Sequence, residues 1–300
     1  MIRIGVDFGG TKIEVAALAD DGRIVGRKRD ANPGEYGAAV ERVTALIGEV
    51  EAEAGAKAKA VGMGVPGSVS PKTGRLRNAN STWLNGKPFR EDLEKSLGRP
   101  FRLANDANCF ALSEASDGAA AGAGVVFGVI IGTGCGGGVV VNGKALDGVN
   151  GIAGEWGHIP LPWASGVEVP GHVCWCGRPN CLETWVAGSG FVADYQRATG
   201  RKLPGADISK AAEAGEPEAV AALDRYVDRL GRALAVVCDI LDPDVIVLGG
   251  GMSNVEALYT RVPEVTARWA FSDVFETQIV QAKHGDSSGV RGAAWLWPLE

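Results

Sequence analysis

Residues 2–8 alternate apolar and polar positions and read as a strand, and 13–19 and 23–28 continue as strands joined at Asp21-Gly22, a hairpin signal. The period then changes. Val40, Val43, Leu46, Ile47 and Val50 recur at helical spacing, so 36–54 is predicted to be an amphipathic helix. Residues 60–65 form a short buried strand that stops at Pro66-Gly67, 68–88 read as loop, 101–104 as another short strand and 107–117 as a helix.

A second start follows. Residues 125–132 are a strongly apolar strand that runs into a glycine-rich turn, and 139–141 resume a strand up to the tight turn Asn142-Gly143. Strand, glycine-rich turn, strand and polar turn is also the order of residues 4–22. This internal repeat of a supersecondary unit predicts two related lobes. Beyond it, 147–181 is irregular, 217–241 is a long helix, and a buried strand ends at Gly249-Gly250-Gly251 before a helix from about 254. The segment 288–297 is helical in pattern. The expected domains are 1–118, with the C-terminal helix 288–300 packed back on it, and 119–287.

Composition narrows the function classes. With 46% hydrophobic and 22% charged residues, the chain is an ordinary folded protein. A net charge of −6 without a basic run argues against nucleic acid as a partner. No apolar run reaches the roughly 18 residues of a membrane span, and the first residues enter a strand without a leader pattern, so a cytoplasmic location is expected. Glycine stands out at 44 residues, clustered at strand ends where backbone can approach a ligand. Three of the six cysteines, Cys174, Cys176 and Cys181, fall close together, which favours a metal over disulfides.

The candidate chemistry sits at these clusters. Gly9, Gly10 and Thr11 at a hairpin turn can aim consecutive N–H groups at one anion. Lys12 adds a charge, and Asp7 can hold Mg²⁺. A plain glycine hairpin is the simpler alternative, but Gly132-Thr133-Gly134 makes a second such turn, and two of them can grip a phosphate chain. Gly249, Gly250 and Gly251 offer bare backbone to an adenine ring. The spacing matches neither a Walker A loop nor a dinucleotide-binding fingerprint, since a strand follows where a helix is needed. That also counts against a nicotinamide oxidoreductase. Asp106 stands where a strand meets a helix. Capping is its plainer role, but Asn105 and Asn108 can also cap, which leaves its carboxylate for proton abstraction from a hydroxyl. Three thiolates with one imidazole make a closed tetrahedral zinc site, structural rather than catalytic; His158 and His172 are both candidates for the imidazole. Glu155 and Glu183 flank this loop and can accept hydrogen bonds from sugar hydroxyls.

Taken in order, Asp7 to Lys12, Pro66-Gly67, Asn105 to Asn108, Ile131 to Gly134, Glu155 with His158, the three cysteines with Glu183, and Gly249 to Gly251 resemble the ROK family of bacterial sugar kinases, from residue 4 to about residue 297. The resemblance implies an α/β, actin-like (ribonuclease H-like) duplicated two-lobe ATPase fold whose lobes close on ATP and a hexose. It implies Asp106 as general base, sugar contacts from Gly67, Asn80, Asn105, Asp106, Glu155, His158 and Glu183, zinc on His158, Cys174, Cys176 and Cys181, and a homodimer. Residues 78–86, 103–109 and 285–298 look closest to the fructokinase and manno(fructo)kinase branch. Phosphorylation of fructose to fructose 6-phosphate, with mannose as a second acceptor, is therefore the expectation; glucose and N-acetylated hexosamines are the alternatives. A sugar-responsive transcriptional regulator is a rival of another class, disfavoured because the phosphate hairpin begins at Asp7. The chain departs from many family members in the fifteen residues between His158 and Cys174, where shorter gaps are common.

Overall fold

The computed structural model describes residues 1–79 and 81–297. Asn80, an expected sugar contact, and the last three residues of the predicted C-terminal helix lie outside the described residues.

The chain forms two compact units: Met1–Gly122, Gly138–Gly154 and the segment from Lys283 onward make the first, and Ala123–Gly137 with Glu155–Ala282 the second. The first begins with β1 (Ile2–Phe8), β2 (Lys12–Ala19) and β3 (Ile24–Ala31), an antiparallel meander. It continues through α1 (Tyr36–Ala54), β4 (Val61–Val65), the two-residue strands β5 (Ser68–Val69) and β6 (Leu76–Arg77), α2 (Phe89–Leu97), β7 (Phe101–Asn105) and α3 (Asp106–Ser116). Helix α1 starts where the Glu35 carboxylate accepts the N–H groups of Gly37 and Ala38, and stops at Gly55 with φ 63°. Its Val43, Leu46, Ile47 and Val50 join Ile4, Val6, Val15, Val61 and Met63 in one apolar core.

Next come β8 (Val125–Ile131), β9 (Cys135–Val141) and β10 (Lys144–Ala145), then α4 (Glu183–Val186), α5 (Gly188–Thr199), α6 (Gly205–Glu213), α7 (Pro217–Leu241), β11 (Val245–Gly249), α8 (Ala257–Trp269), β12 (Gln278–Gln281) and α9 (Ser288–Trp295). The two five-stranded sheets are ordered β3-β2-β1-β4-β7 and β10-β9-β8-β11-β12. Both place an antiparallel hairpin beside parallel strands, the topology expected from the repeat. Helices α2, α4, α5 and α6 and strands β5, β6, β10 and β12 are additions to the sequence reading, β5 and β6 lying in the stretch 68–88 expected to be loop. α2 carries its apolar residues at Phe89, Leu93 and Leu97, a signal hidden inside a polar stretch; β12 is four residues long and shows no period.

Helix α9 lies against β1, β4 and α3 at backbone distance. A Cβ on Gly5 would sit 2.0 Å from the Val290 carbonyl oxygen, one on Gly62 1.8 Å from that of Ala293, and one on Gly292 1.6 Å from that of Cys109. These three positions admit no side chain. Gly48, on the exposed face of α1, meets nothing within 4 Å. Gly292→Ala is therefore expected to cost about 3 kcal/mol through forced displacement of α9, whereas Gly48→Ala should stabilise the fold by about 0.5–1 kcal/mol. Equilibrium urea denaturation of both variants checks the pair.

Candidate active site

In the first unit, the turn between β1 and β2 is closed by Gly9 N–H donating to Lys12 O at 2.9 Å. Asn32 occupies two more carbonyls: its Nδ2 donates to Gly9 O at 2.7 Å and its backbone N–H to Thr11 O at 2.9 Å. The N–H groups of Gly10 and Thr11 make no hydrogen bond among the described residues, and both residues are exposed, as is Lys12. The carbonyls of Gly9, Thr11 and Lys12 are spent while the N–H groups of Gly10 and Thr11 are not, which is the polarity of an anion-binding nest.

The second unit repeats the arrangement. Gly132 N–H donates to Gly134 O at 3.0 Å, Gly188 N–H to Gly132 O at 2.7 Å, and the Ser189 hydroxyl to Thr133 O at 2.9 Å. The N–H groups of Thr133 and Gly134 make no hydrogen bond among the described residues. Gly250, with φ 81°, rests on the base of this turn; a Cβ there would lie 2.7 Å from the Ile131 carbonyl. Residues 249–251 and 132–134 are thus brought together, while Gly251 faces open space.

Asp106 opens α3. The N-cap is Asn105, whose Oδ1 accepts Ala107 N–H at 2.8 Å; its Nδ2 donates to Gly67 O at 3.0 Å. Asp106 Oδ1 also accepts the Ala107 N–H at 2.8 Å, and the residue is exposed. Asn105, Gly67 and Asp106 therefore form one cluster. Gly67 has φ 79°, and a Cβ there would meet Arg77 O at 2.3 Å. Asp7, at the end of β1, lies near Asp106. Burial, then the charges of Asp106 and Glu14, raise the Asp7 carboxyl to about 6, against the pull of Lys12 and Arg29. Two carboxylates in mutual repulsion fit a divalent cation. Glu14 pairs with Asp7 across the sheet and is itself held by Arg27 and Arg29.

Glu155, His158, Glu183 and the cysteines assemble in the second unit. Trp156 is buried, its indole N–H donating to Gly136 O at 3.0 Å, and a Cβ on Gly157 would lie 2.1 Å from Cys135 O. These contacts fix the turn that carries Glu155 and His158 to the start of β9. The Glu155 side chain is exposed. Glu183 opens α4; its Oε2 accepts Cys135 N–H at 3.1 Å, and its Oε1 accepts the Trp175 indole N–H at 2.7 Å. A Cβ on Gly134 would lie 2.9 Å from that Oε2, so the phosphate-type turn and this carboxylate share one corner.

The ligand atoms of His158, Cys174, Cys176 and Cys181 lie within 4.8 Å of one another. Cys176 Sγ and Cys181 Sγ are 3.6 Å apart, and Cys174 Sγ is 3.8 Å from His158 Nδ1. A tetrahedral zinc with bonds of about 2.3 Å to sulfur separates its ligands by about 3.8 Å, so the donor set fits zinc. Nδ1 faces the thiols, which leaves Nε2 for another partner. His172 is elsewhere, its ring 4.7 Å from that of Trp185. The long segment between His158 and Cys174 is fastened to α7: buried Glu168 accepts Arg229 Nε at 2.8 Å and Arg232 Nη2 at 2.8 Å. Arg232 also donates to Pro162 O at 2.6 Å.

The ROK family profile matches residues 3–300. The chain belongs to the ROK family. It has the actin-like ATPase fold of the solved ROK sugar kinases it resembles. The N-acetyl-D-glucosamine kinase of Vibrio cholerae serotype O1 is 41% identical to this ROK chain over 297 residues, covering 97% of this chain and 98% of that protein. A ROK hexokinase from Thermus thermophilus has a TM-score of 0.88 at 32% identity, over 99% of this chain and 97% of that one. A ROK family glucokinase from Streptomyces griseus, solved with glucose and AMPPNP, has a TM-score of 0.77 at 30% identity, over 98% of both chains.

Sequence reasoning missed several supports of the ROK site. Asn32, Ser189 and Gly188 consume the turn carbonyls, and no local pattern marks them. Gly289 is another: a Cβ there would lie 3.1 Å from Asp7 Oδ2. The Arg229 and Arg232 pairs with Glu168 join segments far apart in the chain. A cavity of about 560 Å³ beside them, lined by Trp163, Glu168, Arg225 and Trp269 among others, contains none of the expected site residues.

Two predictions follow from this geometry. The folded-state value of Asp7 exceeds the ordinary 3.8, so the native chain holds the extra proton as pH rises from about 4 to about 6. The stability this group contributes falls across that window and stays low above it. Without divalent cations, Asp7→Asn should be more stable than wild type by about 3 kcal/mol near neutral pH, with the gap closing toward pH ~4; denaturation curves at both pH values test this. Elemental analysis should find about one zinc per chain, and Cys181→Ser should lose it and unfold at lower temperature, because metal binding and folding are coupled.

Proposed function

We propose that this ROK chain is an N-acetyl-D-glucosamine kinase, transferring the γ-phosphoryl group of ATP to a hydroxyl of that sugar. The coarser part, an ATP-dependent sugar kinase, is supported by the N-acetyl-D-glucosamine kinases among the curated relatives and by the solved hexokinase and glucokinase it resembles. The finer part rests on one observation: the curated relatives near 40% identity, such as those of Vibrio cholerae and Pectobacterium atrosepticum, are N-acetyl-D-glucosamine kinases. The fructose expectation finds no support among these names. No helix among the described residues is long and apolar enough to cross a membrane.

In this reading the unspent N–H groups of residues 10–11 and 133–134 bind phosphate oxygens, Lys12 adds positive charge, and Gly249 to Gly251 receive the adenine. Asp7 would hold Mg²⁺, which neutralises charge on the phosphates when bound. Asn105, Gly67, Glu155, Glu183 and His158 Nε2 orient the acceptor, and Asn80 retains its expected role. Asp106 accepts the hydroxyl proton as the oxygen attacks the γ-phosphorus and the bond to the bridging oxygen of ADP breaks. The zinc ligands are all protein groups, so the metal's part is to hold the loop that carries Cys174 to Cys181, not to act on the sugar. We retain a homodimer as the expected assembly.

ADP release measured with N-acetyl-D-glucosamine, fructose, mannose and glucose tests the acceptor. N-acetyl-D-glucosamine should give the highest kcat/KM; a higher value for fructose would replace this reading with the original expectation. Asp106→Asn should lower kcat about 10²-fold or more with sugar binding intact, the scale of general-base loss.

A further inference from the structure

Trp175 stands between two of the metal-binding cysteines, on a tight turn in which Gly177 N–H donates to Cys174 O and Cys174 N–H to Arg178 O, both at 2.9 Å. Its side chain is not core: the residue is 74% exposed. An exposed tryptophan contributes little to folding, and burial cannot explain it. Its polar edge is nevertheless fully used. The indole N–H donates to Glu183 Oε1 at 2.7 Å, and the ring meets that of His158 edge-on, with centroids 5.2 Å apart and planes at 80°. Trp175 thus touches two of the groups assigned above to the acceptor and belongs to neither set of expected site residues.

The second contact of Glu183 gives this meaning. Oε2 is held by Cys135 N–H at 3.1 Å. Oε1 also lies 3.9 Å from Cys174 Sγ, a longer and weaker contact than the indole N–H; with an N–H donor on each oxygen, the carboxylate cannot rotate about its terminal torsion without losing a charge-assisted hydrogen bond. One N–H donor comes from the start of β9 and the other from the metal loop. We infer that Trp175 is a positioning residue for the acceptor: its indole N–H sets the plane of Glu183, and its uncovered ring face offers an apolar wall to the sugar's C–H surface. Aromatic rings with one polar edge suit such mixed surfaces. The inference rests on reading Glu183 as an acceptor contact, and the test separates the two.

The zinc-loaded protein is compared with Trp175→Phe, which keeps a ring and removes the N–H, with Trp175→Leu, which removes both, and with Glu183→Ala. Trp175→Phe should raise KM for N-acetyl-D-glucosamine about tenfold, the scale of one hydrogen bond to a charged group. It should leave kcat within about twofold, KM for ATP unchanged and zinc content at wild-type level, while Trp175→Leu should raise the sugar KM further. In wild-type protein, the indole N–H resonance of Trp175 should shift on addition of N-acetyl-D-glucosamine without ATP. If Glu183→Ala raises the sugar KM and Trp175→Phe does not, the inference fails and the acceptor reading stands. If neither changes it, the acceptor role of Glu183 fails and the inference with it. Loss of zinc in Trp175→Phe, or an indole resonance indifferent to the sugar, assigns Trp175 to loop structure alone and overturns the inference.

Discussion

Backbone amides that meet no acceptor among the described residues are the resource on which the proposed nucleotide binding depends. A buried or constrained peptide group is ordinarily paired on both its N–H and its C=O. At residues 9–12 and 132–134 the pairing is uneven: Asn32, Gly188 and Ser189 take the carbonyls of Gly9, Thr11, Gly132 and Thr133, while the N–H groups of Gly10, Thr11, Thr133 and Gly134 meet no acceptor among the described residues. Such a turn carries partial positive charge without a charged side chain.

Glycine makes that arrangement possible for two separate reasons. At Gly250, with φ 81°, it supplies a backbone conformation that L-residues avoid; at Gly5, Gly62 and Gly292 it supplies the space in which a helix lies directly on strands and on another helix. The second use brings α9, and with it Gly289, against Asp7. The raised Asp7 carboxyl is the consequence: a group packed beneath a helix end and beside Asp106 is reluctant to ionise unless a cation is near.

On the side of the proposed acceptor site, the cysteine loop and the Glu183 carboxylate are one construction. His158 turns Nδ1 to the thiols, Trp175 leaves the same loop to reach Glu183, and Glu183 is tied back to Cys135 at the glycine turn. A structural zinc in this place would govern chemistry indirectly, by fixing where hydrogen-bond acceptors point. The buried pairs of Glu168 with Arg229 and Arg232 anchor the long segment leading into that loop. Burial alone would raise the Glu168 carboxyl, but those two guanidinium groups hold it below its usual range.

Local sequence was enough for whatever depends on neighbours in the chain. The hairpins at 9–12 and 132–134, the helices 36–54 and 217–241, the repeated strand–turn–strand unit and the cysteine cluster were all legible, because period, turn residues and ligand spacing are short-range properties. Asp106 beside its cap Asn105 belonged to the same category. Tertiary structure alone decided what involves partners far apart in sequence. It chose His158 over His172 for the thiols, set Gly67 against Asn105, raised Asp7 through burial and then the charge of Asp106, and spent turn carbonyls on Asn32, Gly188 and Ser189. Each of these is a contact through space, and hydrogen bonds and Coulomb interactions follow distance between atoms rather than separation along the chain.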